Sequence, residues 1–189
     1  NVMYKPNFII ITGGPGVGKT TLLEQLQQRG FPCIPEVARE IIREQSAQNG
    51  NALPWGDIPA YTRLMLSRSV DSYRENASRN ETLFFDRGIT DTLAYAHLSN
   101  QPLFPELPQA CADYRYNTRV FILPPWAEIY HTDPERKQTY QEAIDTYHTM
   151  AATYQSIGYN LTLVPKVTPA ERADFVLRQI SQSLDYKHV

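Results

Sequence analysis

The chain has 189 residues, 42% of them hydrophobic and 20% charged, a globular composition with room for one buried core. Eighteen basic residues face twenty acidic ones with no long basic run, which argues against a nucleic-acid partner. Cys33 and Cys111 lack metal-ligand spacing, the opening residues lack a secretory pattern, and no apolar stretch reaches membrane-spanning length. The expectation is one domain over residues 1–189, cytoplasmic, with reduced thiols and no membrane span.

In chain order, Phe8-Ile9-Ile10-Ile11-Thr12 is a short β-branched run that stops at glycines, which predicts a strand buried on both faces. Leu22, Leu23 and Leu26 follow at helical spacing, and Gly30 stands where a helix C-cap falls. Residues 31–34 read as a second strand. Ala38, Ile41 and Ile42 open a helix that fades before Asn49-Gly50. Asp57 caps a long helix over 58–79, with Ile58, Tyr61, Leu64 and Met65 on one face. Residues 82–86 form a third strand, followed by a turn and a helix through Leu93, Ala94 and Leu98. The proline-rich stretch 101–108 reads as a connection. Arg119 to Leu123 is a fourth strand, stopped by Pro124-Pro125. A long helix follows, begun by Asp133-Pro134-Glu135-Arg136-Lys137, striped by Tyr140, Ile144, Tyr147, Ala151 and Tyr154, and ended by Gly158. Leu161 to Val164 is the fifth strand. Thr168-Pro169-Ala170-Glu171 then gives the last helix an N-cap, a first-position proline and a glutamate able to close a capping box. Its stripe runs through Ala173, Val176, Leu177, Ile180 and Leu184. Strands alternating with helices predict an α/β domain, a parallel sheet with helices on both faces. The apolar stripes of 58–79 and 138–157 fit a core or, equally, a homodimer face.

Gly13-Gly14-Pro15-Gly16-Val17-Gly18-Lys19-Thr20 lies between the first strand and the first helix. Phosphate oxygens need converging N–H donors, which glycines expose, and the helix beginning near Lys19 adds the positive end of its dipole. Lys19 reaches the β- and γ-phosphates, and the Thr20 hydroxyl is placed for magnesium; Thr21 completes the set. A chance match is on the order of a per cent in a chain this long, and a plain glycine turn does not explain the lysine and threonine. The pattern implies a nucleoside triphosphate with magnesium. ATP and GTP both remain open, the missing Asn-Lys-x-Asp guanine motif leaning toward ATP.

Asp86 closes the third strand, where a carboxylate points into the crevice at the strand ends and holds the metal, directly or through water; it also suits a turn before Gly88. Glu36, just past the second strand, suits either a base or orienting acceptor for an attacking hydroxyl, or a first-turn helix acid. Arg39 and Arg87 are candidates to hold an acceptor substrate, and Arg63 is a weaker one. Asp91 fits a sugar contact or a helix cap. Arg136 and Lys137, cations in a first turn against the dipole, fit either a late-arriving clamp on the transferring phosphoryl or a solvated helix end. Tyr61 or Tyr95 suits stacking on a substrate ring, though core packing explains both. His97, His131, His148 and His188 lack metal spacing.

The loop together with Pro35-Glu36-Val37-Ala38-Arg39-Glu40, Phe85-Asp86-Arg87-Gly88-Ile89-Thr90-Asp91-Thr92-Leu93-Ala94-Tyr95 and Gln155-Ser156-Ile157-Gly158-Tyr159 resembles the NadR-type AAA/kinase domain family of P-loop proteins. Its relatives include ribosylnicotinamide kinases and, more distantly, deoxynucleoside and thymidylate kinases. The resemblance implies a three-layer P-loop NTPase with a five-stranded parallel sheet, order 2-3-1-4-5, and a helical lid at about 124–140. It also implies Glu36 as the base. Asp86-Arg87-Gly88 departs from the ribosylnicotinamide kinases, where a second acid stands near Gly88. Two activities follow as expectations. One is a kinase moving the γ-phosphoryl of Mg-ATP to a small nucleoside-like acceptor, with Lys19, Glu36, Asp86 and Arg136 catalytic. The other is a nucleotide-dependent switch or slow ATPase or GTPase without an acceptor.

Overall fold

β-Branched and aromatic runs become the strands, and the striped segments between them become helices. The computed structural model describes residues 1–130 and 138–187, the side chains of 183–187 excepted. The chain runs β1 (Met3–Tyr4), β2 (Phe8–Gly13), α1 (Lys19–Gln28), β3 (Cys33–Ile34), α2 (Val37–Ala47), α3 (Ile58–Glu75) and β4 (Leu83–Asp86). It continues with α4 (Ile89–Leu98), α5 (Glu106–Asp113), β5 (Tyr114–Arg115), β6 (Arg119–Leu123), α6 (Tyr140–Ser156), β7 (Asn160–Leu163) and α7 (Pro169–Lys187).

Five strands form one parallel sheet in the order β3-β4-β2-β6-β7, which is the 2-3-1-4-5 order of the five expected strands. Every residue of β2 is buried, because the strand is central and covered on both faces. Its side chains alternate between two cores, as a period of two requires. Ile9 and Ile11 pack with Leu22 and Leu26 of α1 and Ala173 and Val176 of α7. Phe8 and Ile10 pack on the other face with residues of α3, α4, α5 and α6. Each fully buried chain of this kind contributes about 1.5–3 kcal/mol. A smaller cluster of Ile41, Tyr61 and Met65 joins α2 to α3 beside the sheet edge.

Several boundaries depart from the sequence reading. The stretch 101–108 is not wholly a connection, because α5 opens at Glu106 with Pro108 at its third position, where a missing N–H leaves no intrahelical bond unmade. The two-residue strands β1 and β5 pair in parallel as a separate small sheet. The fifth expected strand is β7, one residue earlier than its apolar run, and α3 ends at Glu75 with Asn76 as C-cap. The Asp57 carboxylate accepts from the Ala60 N–H at 3.1 Å, as its capping role requires. Of the expected lid, residues 124–130 carry a 3₁₀ turn at Ala127–Ile129, and α6 starts at Tyr140 behind a Thr139 N-cap that accepts from Glu142 N–H at 3.1 Å. The expected helix start at Asp133–Lys137, with Arg136, lies outside the described residues, as does His131. Among the described residues, no helix is long and apolar enough to cross a membrane.

Candidate active site

The loop after β2 has the backbone that its glycines promise. Gly13 adopts φ +154°, and a Cβ there would stand 2.9 Å from the Leu123 carbonyl oxygen. Gly18 adopts φ +88° and is the N-cap of α1 without any side-chain cap, so the first-turn N–H groups stay available to an anion. Lys19, the first residue of α1, is only 7% exposed. Thr20 is exposed to the cavity in front of the loop, and the Thr21 hydroxyl donates back to Gly18 O at 2.9 Å.

Strand register delivers the carboxylates to this loop. Asp86 ends β4 opposite Ile11 of β2, two residues before the loop, and Lys19 Nζ is hydrogen-bonded to its Oδ1. Glu36 follows β3 as the N-cap of α2, yet its side chain makes no capping hydrogen bond. The carboxylate turns to three cations instead: Arg87 Nε at 3.1 Å, Arg39 Nε at 3.3 Å and Lys19 Nζ at 3.6 Å. Arg87 is the next residue after Asp86 and adopts φ +67°, unusual for a bulky side chain. Its Nε is buried with no hydrogen bond of good angle, so the approach to Glu36 is an ion pair rather than a directed bond.

Burial alone would raise the Glu36 carboxyl, but Arg87, Lys19 and Arg39 outweigh it and hold its pKa below the ordinary glutamate value. Burial lowers Lys19, and Arg87 lowers it further, against Glu36 and Asp86, which favour its charged form. Burial opposes the Arg87 charge, and Glu36, Asp91 and Asp86 restore it. Cations crowded beside a ring of N–H donors suit a polyphosphate.

Asp91 serves as a helix cap and as a junction. Its Oδ2 accepts from Gly88 N–H at 2.9 Å and from the Tyr154 hydroxyl, and its Oδ1 accepts from Thr12 Oγ1 at 2.7 Å, with Arg87 Nη1 at 3.7 Å. Nothing in the sequence reading singled out Thr12, and Tyr154 was read only as a core stripe.

Two cavities meet at this cluster. One, of about 1,040 Å³, is lined by Pro15 to Thr21, by Trp126 and by Thr168. The second, about 530 Å³, lies over Tyr61, Met65 and Tyr95, whose two tyrosine rings meet edge to face at 5.5 Å. Pro15, Glu36 and Arg87 line both. Arg39 lines the first cavity and not the second, whereas Asp91 lines the second. Arg63 lies in neither; its guanidinium covers the Phe104 ring at 4.1 Å. Sequence reasoning also passed over Gln138, in the wall of the second cavity, whose Nε2 donates to Thr146 Oγ1 at 2.9 Å while Oε1 is buried without a partner.

Solved structures share the fold at low identity. A structure of NadR protein in complex with NR matches at a TM-score of 0.63 and 20% identity, over 91% of this chain and 50% of that one. NadR protein in complex with NAD and AMP-PNP gives 0.64 and 22%, over 91% and 48%. Deoxyadenosine kinase from M. mycoides, with the products dCMP and a flexible dCDP bound, gives 0.68 and 13%, over 93% and 99%. The present chain therefore spans about half the length of the NadR chains. No curated protein matches it. Residues 8–172, from the first residue of β2 through the glycine loop to the opening turn of α7, match the AAA domain family, and the chain belongs to that family of P-loop proteins.

Proposed function

We propose that this protein is a phosphotransferase that moves the γ-phosphoryl of ATP to a hydroxyl of an uncharged, nucleoside-like acceptor. One observation carries the reading: Glu36 stands in the common wall of two cavities, with Lys19 at 3.6 Å. A switch or simple NTPase needs the loop cavity alone. A second cavity with aromatic walls, opening on the same carboxylate, is what an acceptor requires. The deoxyadenosine kinase that shares the fold is consistent with this.

Triphosphate in the first cavity would draw Lys19 from Asp86 to the γ-phosphoryl oxygens. Among the described residues no group of three or more His, Cys, Asp or Glu could hold a metal, so no all-protein cage is available. Thr20 and Asp86 fit magnesium instead, which takes few protein oxygens and completes its shell with phosphate and water. Bound there, it would neutralise charge shared by the β- and γ-phosphoryl groups. Glu36, ionised at neutral pH, would accept a hydrogen bond from the acceptor hydroxyl and take its proton as the new O–P bond forms and the bridging O–P bond of ATP breaks. A carboxylate of lowered pKa is a weak base, which suits a loose transition state where the proton leaves late.

The lining also bears on the acceptor. Among the described residues, Glu36, Asp86, Asp91, Glu142 and Asp145 face the second cavity with Arg87 as its one cation. That field disfavours an acceptor already bearing phosphate.

A screen for ADP release across nucleosides, their monophosphates, vitamins and sugars tests the proposal. Stimulation by an unphosphorylated acceptor is expected, and Glu36→Gln should lose about 10²-fold or more of kcat while still binding ATP. Slow hydrolysis that no acceptor stimulates would instead establish the switch or ATPase reading.

A further inference from the structure

Arg172 is the fourth residue of α7 and is 2% exposed. Its Nε donates to Pro165 O at 2.9 Å and its Nη1 to Val17 O at 2.7 Å, both neutral carbonyls. No carboxylate among the described residues lies within ion-pair distance of it, and Nη2 is buried without a partner. The guanidinium stands 5.0 Å over the Trp126 ring. A first-turn cation also opposes the helix dipole, so neither solvent, nor an acid, nor the helix supplies its counter-charge. Burial accordingly pulls its pKa down.

Sheet order says which part of a nucleotide this cation meets. The loop follows β2, with β4 and β3 on one side of that strand and β6 and β7 on the other. Lys19, Asp86 and Glu36, the groups suited to the γ-phosphoryl end, lie toward β4 and β3. Trp126 follows β6 and Pro165 follows β7, so Arg172 lies on the opposite flank. There its Nη1 is 2.8 Å, and Thr21 Oγ1 3.7 Å, from the point where a Gly18 Cβ would stand. It lines the same cavity as the loop. Taking the triphosphate reading of that cavity as its premise, we propose that Arg172 is a further nucleotide ligand: as the phosphates enter, its side chain turns so that Nη2, otherwise closed to the cavity, donates to a non-bridging oxygen of the α-phosphate at the nucleoside end of the site.

Calorimetry without metal, comparing ATP with the two ATPαS diastereomers, tests this directly. Wild-type protein should bind one diastereomer several-fold more weakly than ATP, because sulfur replaces the oxygen that Nη2 contacts. Arg172→Met should bind ATP about tenfold or more weakly and lose that preference; Arg172→Lys should recover part of it. A purely structural arginine would lower affinity for all three ligands equally, so an unchanged preference in Arg172→Met overturns the proposal. So does wild-type protein that treats both diastereomers alike. If Arg172→Met fails to fold, Arg172→Lys decides, since the proposal requires a reduced preference there too. Wild-type protein that binds no ATP either without metal or with magnesium added would instead remove the triphosphate reading on which the proposal rests.

Discussion

At Arg87 a bulky side chain sits at φ +67°, a conformation that costs of order 1–3 kcal/mol and persists only where its surroundings impose it. The surroundings are identifiable: its N–H donates to Ile11 O at 3.0 Å, and its guanidinium lies between Glu36 and Asp91. Arg87 is the largest of the influences that lower the Glu36 pKa, so Arg87→Ala should let that pKa rise. The pH profile of kcat/KM carries the sign. In the wild type the acidic limb falls below the ordinary glutamate value, and in Arg87→Ala it moves to higher pH; an unmoved limb means another group titrates. Stability follows the same linkage. A carboxyl whose folded pKa is depressed stabilises fully above its unfolded value and loses that contribution as pH falls through the folded one. Asp91 is the second residue with an assignable effect, because it joins β2, the α4 N-terminus and α6 through Thr12, Gly88 and Tyr154. Asp91→Ala should cost about 2–4 kcal/mol in denaturant titration, since it strands three buried partners. Asp91→Asn keeps an acceptor oxygen and should cost less.

At the level of elements, α6 carries one wall of the second cavity and depends on its cap. Thr139→Ala removes the oxygen that accepts from Glu142 N–H and should cost about 1 kcal/mol, read from the denaturation midpoint at constant m. What could be read in the sequence followed from how local each signal is. The central strands were legible because burial on both faces leaves continuous apolar runs, and the glycine loop because its donors are contiguous. Glu36 and Asp86 were legible as strand-end carboxylates, which fold topology brings to one crevice. The start of α5 was masked by Pro105 and Pro108, residues that mark loops and helix openings alike. Arg172 was illegible for a different reason. It precedes the apolar stripe of Ala173 and Val176, where a charged residue reads as solvated, and only the docking of α7 against the loop buries it. Thr12 depends on Asp91, a partner far away in sequence, and Gln138 stands just before α6, outside its apolar stripe, so no periodicity reveals either.

For the molecule as a whole, Lys19 Nζ is hydrogen-bonded to Asp86 Oδ1, so on the proposed function nucleotide and metal would each compete for one member of a buried pair. On the proposed function, triphosphate would take Lys19 and free Asp86, and the freed carboxylate would then be open to hold magnesium. Donor and metal would therefore bind cooperatively without any domain movement, through one exchange of partners at the tip of β2. Asp86→Asn separates the two effects. It removes both the competitor for Lys19 and a negative charge facing the phosphates, so metal-free ATP should bind at least as tightly as it does to wild-type protein. The added affinity from magnesium should shrink, with Thr20 left as its remaining protein ligand. Thermal shift reads the difference: at a ligand concentration about 100 times Kd, binding contributes about 2.7 kcal/mol, or roughly 5–10 °C in Tm. Wild-type protein should need magnesium to reach that shift at a fixed ATP concentration, whereas Asp86→Asn should show a clearly smaller difference between magnesium and EDTA. If magnesium stabilises Asp86→Asn with ATP as much as it stabilises the wild type, Asp86 holds no metal, and its contact with Lys19 is structural.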